Sequence, residues 1–257
     1  MKNESKYSFD KLQMFFGEDY KIANGIIISQ PSIGDILVFG EKKFYQVLNT
    51  FITNPTSMRV LLWENGVDWT KITDYELFIR LILQFKLNKE DTFLLFGELD
   101  FTQFAPYKRK KEETDSDGNE VYDTVLINEK QNVLIDEEIY MHIAHYLRTM
   151  FNIFPKVEKA RDKTTKEWMI EEDMEKRRIE KDDDSTLLPM ISFCLNHPGF
   201  KYNKQELRNL GIVEFNDSVQ RLLVYESTTA LMKGMYSGFV DTSKIDQKEF
   251  NFMRELK

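Results

Sequence analysis

The sequence predicts an α+β fold that is mostly α, with helical modules at the N-terminal and C-terminal ends and a small antiparallel β element in the middle. Three observations predict it. Between Ser32 and Gln84, apolar residues recur at helical spacing in Phe44, Val47, Leu48, Phe51 and Ile52 and again in Leu77, Phe78, Leu81 and Ile82, with breaks at Gly40, Asn54-Pro55 and Asn65-Gly66. From Thr92 onward, DTFLLFGELDFTQFAPYKRK and NEVYDTVLINEK read as strands on either side of the polar segment EETDSDG. Helical spacing then returns from Asp136 to Ile153 and throughout the last third. The implied organisation is 1–90 a helical module with an N-terminal hairpin, 91–135 the β element, 136–184 an amphipathic helix followed by a charged helix or linker, and 185–257 a C-terminal helical module.

Taken in order, Ser8 is placed to cap a short helix in FDKLQMFF that Gly17 stops. Asn24-Gly25, between two apolar stretches, predicts a type I′ hairpin. Ser32 with Asp35, and Thr73 with Glu76, each have the spacing of a capping box at a helix start. Between the helices, VDWT displays Trp69 beside Asp68 in a turn. An aromatic beside a carboxylate in a loop can be a binding hot spot, although a tryptophan closing the end of a helical bundle is the commoner arrangement.

The segment FLLFGELDFTQF echoes ILVFGEKKFYQV, with Leu37, Phe39, Gly40, Glu41, Phe44 and Gln46 matched at constant offset by Leu94, Phe96, Gly97, Glu98, Phe101 and Gln103. A single match of this length does not make a repeat protein. Lys108-Arg109-Lys110-Lys111 reads as a solvated loop, screened by the acids that follow. Asp115, Asp117 and Glu120 lack the glycine position of a calcium loop, and Asp117-Gly118 fits a tight hairpin turn instead.

DEEIYMHIAHYLRTMFNI has acids in its first turn and one apolar face of Ile139, Ile143, Leu147, Met150 and Phe151, with Pro155 placed to end it. The charged segment after Pro155 offers i,i+4 pairs at Glu172/Lys176, Asp173/Arg177 and Arg178/Asp182, but only Trp168, Ile170, Met174 and Ile179 as an apolar stripe. Such a helix either projects into solvent as a linker or is half of an interface. Helices follow in TLLPMISFCLNH, NKQELRNL and FNDSVQRLLVYESTTALMKGMYSG. The end, DTSKIDQKEFNFMRELK, reads as a docking tail presenting Phe250, Phe252 and Met253.

Composition narrows the function. A net charge of −8 and a pI near 5.2 disfavour nonspecific nucleic-acid binding, which needs a basic surface. No apolar run approaches a membrane span and MKNESKYSFD carries no signal core, so a cytoplasmic protein is expected. The lone Cys194, in an apolar run, reads as a buried small hydrophobe. Glu138, His142 and His145 lie along one helix edge, where two histidines and a carboxylate can begin a metal site, but no further ligand pair, HExxH or Cys pair supports it. His197 reads as a residue at a helix end. With no nucleophile motif, phosphate loop or dinucleotide fingerprint, the expectation is a non-enzyme without cofactor or metal, binding partners through Asp68, Trp69, Trp168, Phe250 and Phe252.

IIISQPSIGDILVFGEKKFYQVLNTFITNPTSMRVLLWENGVDWTKITDYELF together with LNHPGFKYNKQELRNLGIVEFNDSVQRLLVYESTTALMKGMYSG resembles proteins encoded among the tail-morphogenesis genes of tailed bacteriophages of Gram-positive hosts, including tail assembly chaperones. The resemblance covers about half of the chain; the β element and the charged helix fall outside it. It implies virion morphogenesis in the host cytoplasm, or a place in the virion itself. The implied partners are tail tube, tape-measure or baseplate proteins, or a second copy of the chain. A different class of reading takes NKQELRNLGIVEFNDSVQRL as a helix-turn-helix-like unit of a nucleic-acid or host-defence interaction module, against which Asp217 leaves Arg221 as the one nearby base.

Overall fold

The computed structural model describes residues 7–22, 25–114, 119–179, 185–238 and 241–256. Among them are eleven α-helices and two antiparallel sheets, an α+β architecture dominated by helix. The first helix, α1 (Lys11–Phe15), is capped by Asp10, whose carboxylate accepts from the Leu12 N–H at 2.8 Å, and not by Ser8; Gly17 follows at φ 75°. Strands β1 (Tyr20–Lys21) and β2 (Ile27–Ile28) form the expected hairpin. Its connection is longer than a two-residue type I′ turn, because Ile22 N–H donates to Ile26 O. Asn24 lies outside the described residues.

Both predicted capping boxes form. Ser32 starts α2 (Ile33–Phe39) with Asp35, and Thr73 starts α5 (Asp74–Phe85) with Glu76. Between them run α3 (Glu41–Ile52), α4 (Arg59–Glu64) and a 3-10 turn at Trp69–Lys71. Gly40, at φ 98°, makes the corner between α2 and α3, a backbone setting that glycine adopts without the penalty of a Cβ.

The strand reading of DTFLLFGELDFTQF is wrong. Residues Lys89–Phe96 form α6, opened by a third capping box of Asn88 and Asp91, and Phe101–Gln103 form a 3-10 turn. A helix this short, with Thr92, Leu95 and Phe96 buried but Phe93 exposed, leaves little periodicity to read. The basic run is not a loop either. Strand β3 (Ala105–Thr114) contains it and pairs with β4 (Glu120–Asn128), which pairs in turn with β5 (Val133–Ile135). Its charges are absorbed across the hairpin: Arg109 stands opposite Asp123 and donates to its carboxylate at 2.6 Å and to Asp136 at 3.2 Å, while Lys110 pairs with Glu120. Cross-strand ion pairs of this kind hold a hairpin arm that has few apolar residues to bury. Asp115 and Asp117-Gly118 lie outside the described residues.

Helix α7 (Glu137–Phe151) carries the long predicted face, and it ends at Asn152 in the left-handed conformation, before Pro155 acts. After it come α8 (Lys163–Ile179), α9 (Leu187–Asn196), α10 (Lys204–Asn209) and α11 (Ile212–Tyr236). One main core draws Phe44, Leu48 and Phe51 from α3, Phe78 and Ile82 from α5, Tyr140, Ile143 and Leu147 from α7, Cys194 from α9 and Phe215 from α11. The N- and C-terminal helices meet closely where Ile33 N–H donates to Leu210 O at 2.9 Å and Ile212 N–H to Pro31 O at 3.1 Å. Gly34 permits this contact, since a Cβ there would lie 2.8 Å from Arg208 O.

Candidate functional site

The proposed partner-binding residues scatter, and one of them, Trp69, is internal. The site they do reveal begins at the turn after α3. Asn54 precedes Pro55, which favours extended backbone there. Its side chain accepts from Ser57 N–H at 2.9 Å and donates to Lys156 O at 2.9 Å, so the entrance to α4 is tied to the segment before α8.

One turn on, Arg59 is 6% exposed. Its guanidinium makes a bidentate pair with Asp173 through Nε and Nη2, both at 2.7 Å, and donates from Nη1 to Glu158. The same group lies over the Trp69 ring, 5.8 Å from its centroid. Burial works against the charge, yet the hydrogen bonds that Arg59 donates to Asp173 and Glu158 hold its pKa above the ordinary value. A planar fork is needed to serve both carboxylates and the ring at once, which an ammonium cannot do.

Below these charges lies a second core, separate from the first: Val60 and Leu62 from α4, Trp69 from the 3-10 turn, Leu77 and Leu81 from α5, and Ile170 from α8. Met169 and Met174 pack on its edge. The charged helix is therefore docked on its own chain, and the linker reading is overturned. Its thin apolar stripe suffices because polar links flank it. Of its expected i,i+4 pairs, Glu172–Lys176 forms at 2.7 Å, whereas Asp173 turns away to Arg59; Asp182 lies outside the described residues.

Trp69 is 3% exposed and closes the helical cluster, so it offers no face to a partner. Its indole N–H is buried with no acceptor among the described residues, an arrangement that typically costs about 1–3 kcal/mol. Asp68 is also engaged: Lys166 Nζ donates to both its oxygens at 2.9 and 2.7 Å and to Thr70 Oγ1 at 2.8 Å. This hydrogen bonding holds the Asp68 carboxyl down at about 2, well below its ordinary 3.8. A depressed carboxyl contributes stability that is complete above its unfolded value and lost as the pH falls through its folded one. The wild type's stability advantage over Asp68→Asn should therefore shrink from about pH 5 down to about pH 2 in urea titrations. A constant difference would remove Asp68 as the source.

Trp168 is 63% exposed on the outer side of α8. The C-terminal segment is a docked strip and not a free tail. Arg221 Nη1 donates to Phe252 O at 3.3 Å and Arg254 O at 2.8 Å, Arg254 donates to Glu249 O, and Thr228, buried in α11, donates to that same oxygen at 3.0 Å. Phe250 is half-buried, and Phe252 packs against Tyr225 with ring centroids 5.7 Å apart.

The histidines face the N-terminal segment. His142 Nδ1 is 3.3 Å from Tyr20 Oη and meets the Tyr7 ring edge-on, and His145 packs on Phe9. Burial, aided by the charge of Arg148, pushes the His145 pKa down. Glu138 instead lines a cleft of about 1160 Å³ between the β3–β4 arm and the starts of α5 and α7. Among the described residues no group of three or more His, Cys, Asp or Glu side chains is placed to hold a metal ion. Burial raises the Cys194 thiol to about 11, and His197 ends α9 with Nδ1 accepting from Gly199 N–H and Nε2 3.0 Å from Glu226.

Sequence reasoning did not single out Arg59 or Glu158, and Asp173 entered only as half of a local helix pair. The one available signal was an isolated arginine at the start of an apolar helix. Among the described residues no helix is long and apolar enough to cross a membrane. Comparison with protein-family models, with curated proteins and with solved structures yields no match.

Proposed function

We propose that this chain is a non-enzymatic virion-morphogenesis protein of a tailed bacteriophage, a tail assembly chaperone or minor tail component that acts in the host cytoplasm through protein–protein contacts. The proposal rests on the sequence resemblance to tail-morphogenesis proteins. The structural observation that supports a contact role is a set of large side chains exposed on the outer surface of α11 and the C-terminal segment. On α11, Tyr225 and Tyr236 are 54% and 80% exposed and lie about three helical turns apart on one face, with Phe252 against the first of them and Met253 at 85% exposure beyond. Clustered exposed aromatics are a usual feature of an interaction surface.

The purified chain is expected to co-elute with at least one of the tail tube, tape-measure or baseplate proteins of its own phage. Paired Tyr225→Ser and Tyr236→Ser substitutions should weaken that complex by about tenfold or more while leaving the thermal midpoint near the wild-type value. Binding to none of the three would overturn the proposal. Neighbouring genes for a tail tube and a tape measure would support it independently.

A further inference from the structure

Among the described residues, the charged links that hold α8 run between two short stretches, residues 158–173 on one side and 59–70 on the other. Glu158 and Asp173 meet Arg59, and Lys166 meets Asp68 and Thr70. Beneath them the contact is small: among the described side chains Ile170 is the α8 residue buried in the second core, with Met169 and Met174 at its margin. Residues 153–160, which lead into α8, have neither helix nor strand. The face they cover is not fully satisfied, because the Trp69 indole N–H is buried there without an acceptor among the described residues.

A buried arginine fixes the chemistry that this face requires. Uncovered, it would present an apolar floor of Val60, Leu62, Trp69 and Leu77 with one guanidinium that needs carboxylates in bidentate geometry. Helix α8 supplies an isoleucine and methionines bracketed by acids, and so shows what fits.

We propose that the α4–α5 face is a helix-binding groove and that α8 is its tethered internal occupant, displaced when a partner's amphipathic helix docks that carries acids beside a branched aliphatic residue, for Arg59, and a lysine, for Asp68. The incoming helix places a branched aliphatic residue over Trp69, a carboxylate on Arg59 and an oxygen within reach of the indole N–H. Tethering gives α8 an effective concentration on the order of millimolar, so a competing helix binds the closed chain weakly and binds an opened chain by its intrinsic affinity. The inference stands whether or not that partner is a tail protein.

The test uses a fluorescent synthetic peptide with the sequence of residues 156–178, added to the full chain and followed by anisotropy. Ile170→Glu loosens α8 and leaves the groove intact; this variant should bind the peptide on the order of tenfold more tightly than the wild type. Adding Arg59→Met to the same chain should abolish the gain. Asp173→Asn, which removes an α8 carboxylate without altering its apolar anchor, gives a second opened variant if circular dichroism shows Ile170→Glu to be unfolded. Equal peptide affinity in the wild type and the opened variant, or a gain that survives loss of Arg59, would overturn the proposal.

Discussion

Phe51→Ala is expected to cost about 4 kcal/mol of unfolding free energy, a large share of the roughly 5–15 kcal/mol that a chain of this kind has in total. Phe51 is fully buried in α3 and meets three further rings: Phe96 of α6 at 4.7 Å, Phe101 of the following 3-10 turn at 5.0 Å and Phe78 of α5 at 5.8 Å between centroids. Truncation removes the transfer free energy of the ring and leaves a cavity whose walls come from separate elements, so no single shift can close it. The lost ring contacts add about 0.5–1.5 kcal/mol each in favourable cases. Phe85→Ala, at a ring 50% exposed, should stay within about 1 kcal/mol of the wild type. Urea unfolding of both variants provides the measurement, and similar losses would contradict this view of the core.

The contrast between α3 and α6 shows what the sequence could carry. In α3 the residues Phe44, Val47, Leu48, Phe51 and Ile52 form one buried stripe across twelve residues, and the periodicity is plain. Helix α6 has eight residues with apolar groups on several sides, and FLLF satisfies a strand pattern equally well. The echo of ILVFGEKKFYQV was a usable signal, because Gly40 and Gly97 both end helices at positive φ. In β3 the misreading has a different cause. Edge strands can be built from charges when the partner strand supplies the opposite sign, and only the register that sets Arg109 across from Asp123 makes this visible.

The candidate site was legible in part. Trp69 as a residue that closes a helical cluster follows from ordinary statistics of large aromatics, and the structure buries it. The role of α8 could not be read, because its docking depends on Arg59, over a hundred residues away, donating to Asp173 and to Glu158 just before the helix. A charge run with four apolar residues looks solvated until its counter-ion is known. The C-terminal strip behaves similarly, held by hydrogen bonds from Arg221 and Thr228 to backbone oxygens that leave no trace in hydrophobic spacing.

The second large effect is expected at Arg148, where three helices are joined by one side chain. From the last turn of α7, its Nε donates to Ile52 O at 2.8 Å, and Nη2 donates to Thr53 O at 3.1 Å and to the Asp74 carboxylate at 2.8 Å. Carbonyls at the end of α3 have no partner within their own helix, and Asp74 opens α5, so the guanidinium satisfies one helix C-terminus and neutralises an acid at another's N-terminus. The Arg148 side chain is 14% exposed, which leaves little water to replace it. Arg148→Met keeps the aliphatic stem and strands these acceptors; the expected loss is about 3 kcal/mol. Arg148→Lys should recover only part of it, because a single ammonium cannot reach both carbonyls and the carboxylate in the same plane. A cycle with Asp74→Asn should give a coupling of about 1–2 kcal/mol, and coupling near zero would assign the loss to the α3 carbonyls alone. The charge has a second readout that a packing role would not move. Arg148 helps to hold the His145 pKa down, so that pKa should rise in Arg148→Met when followed by NMR titration, while Arg148→Lys leaves it depressed.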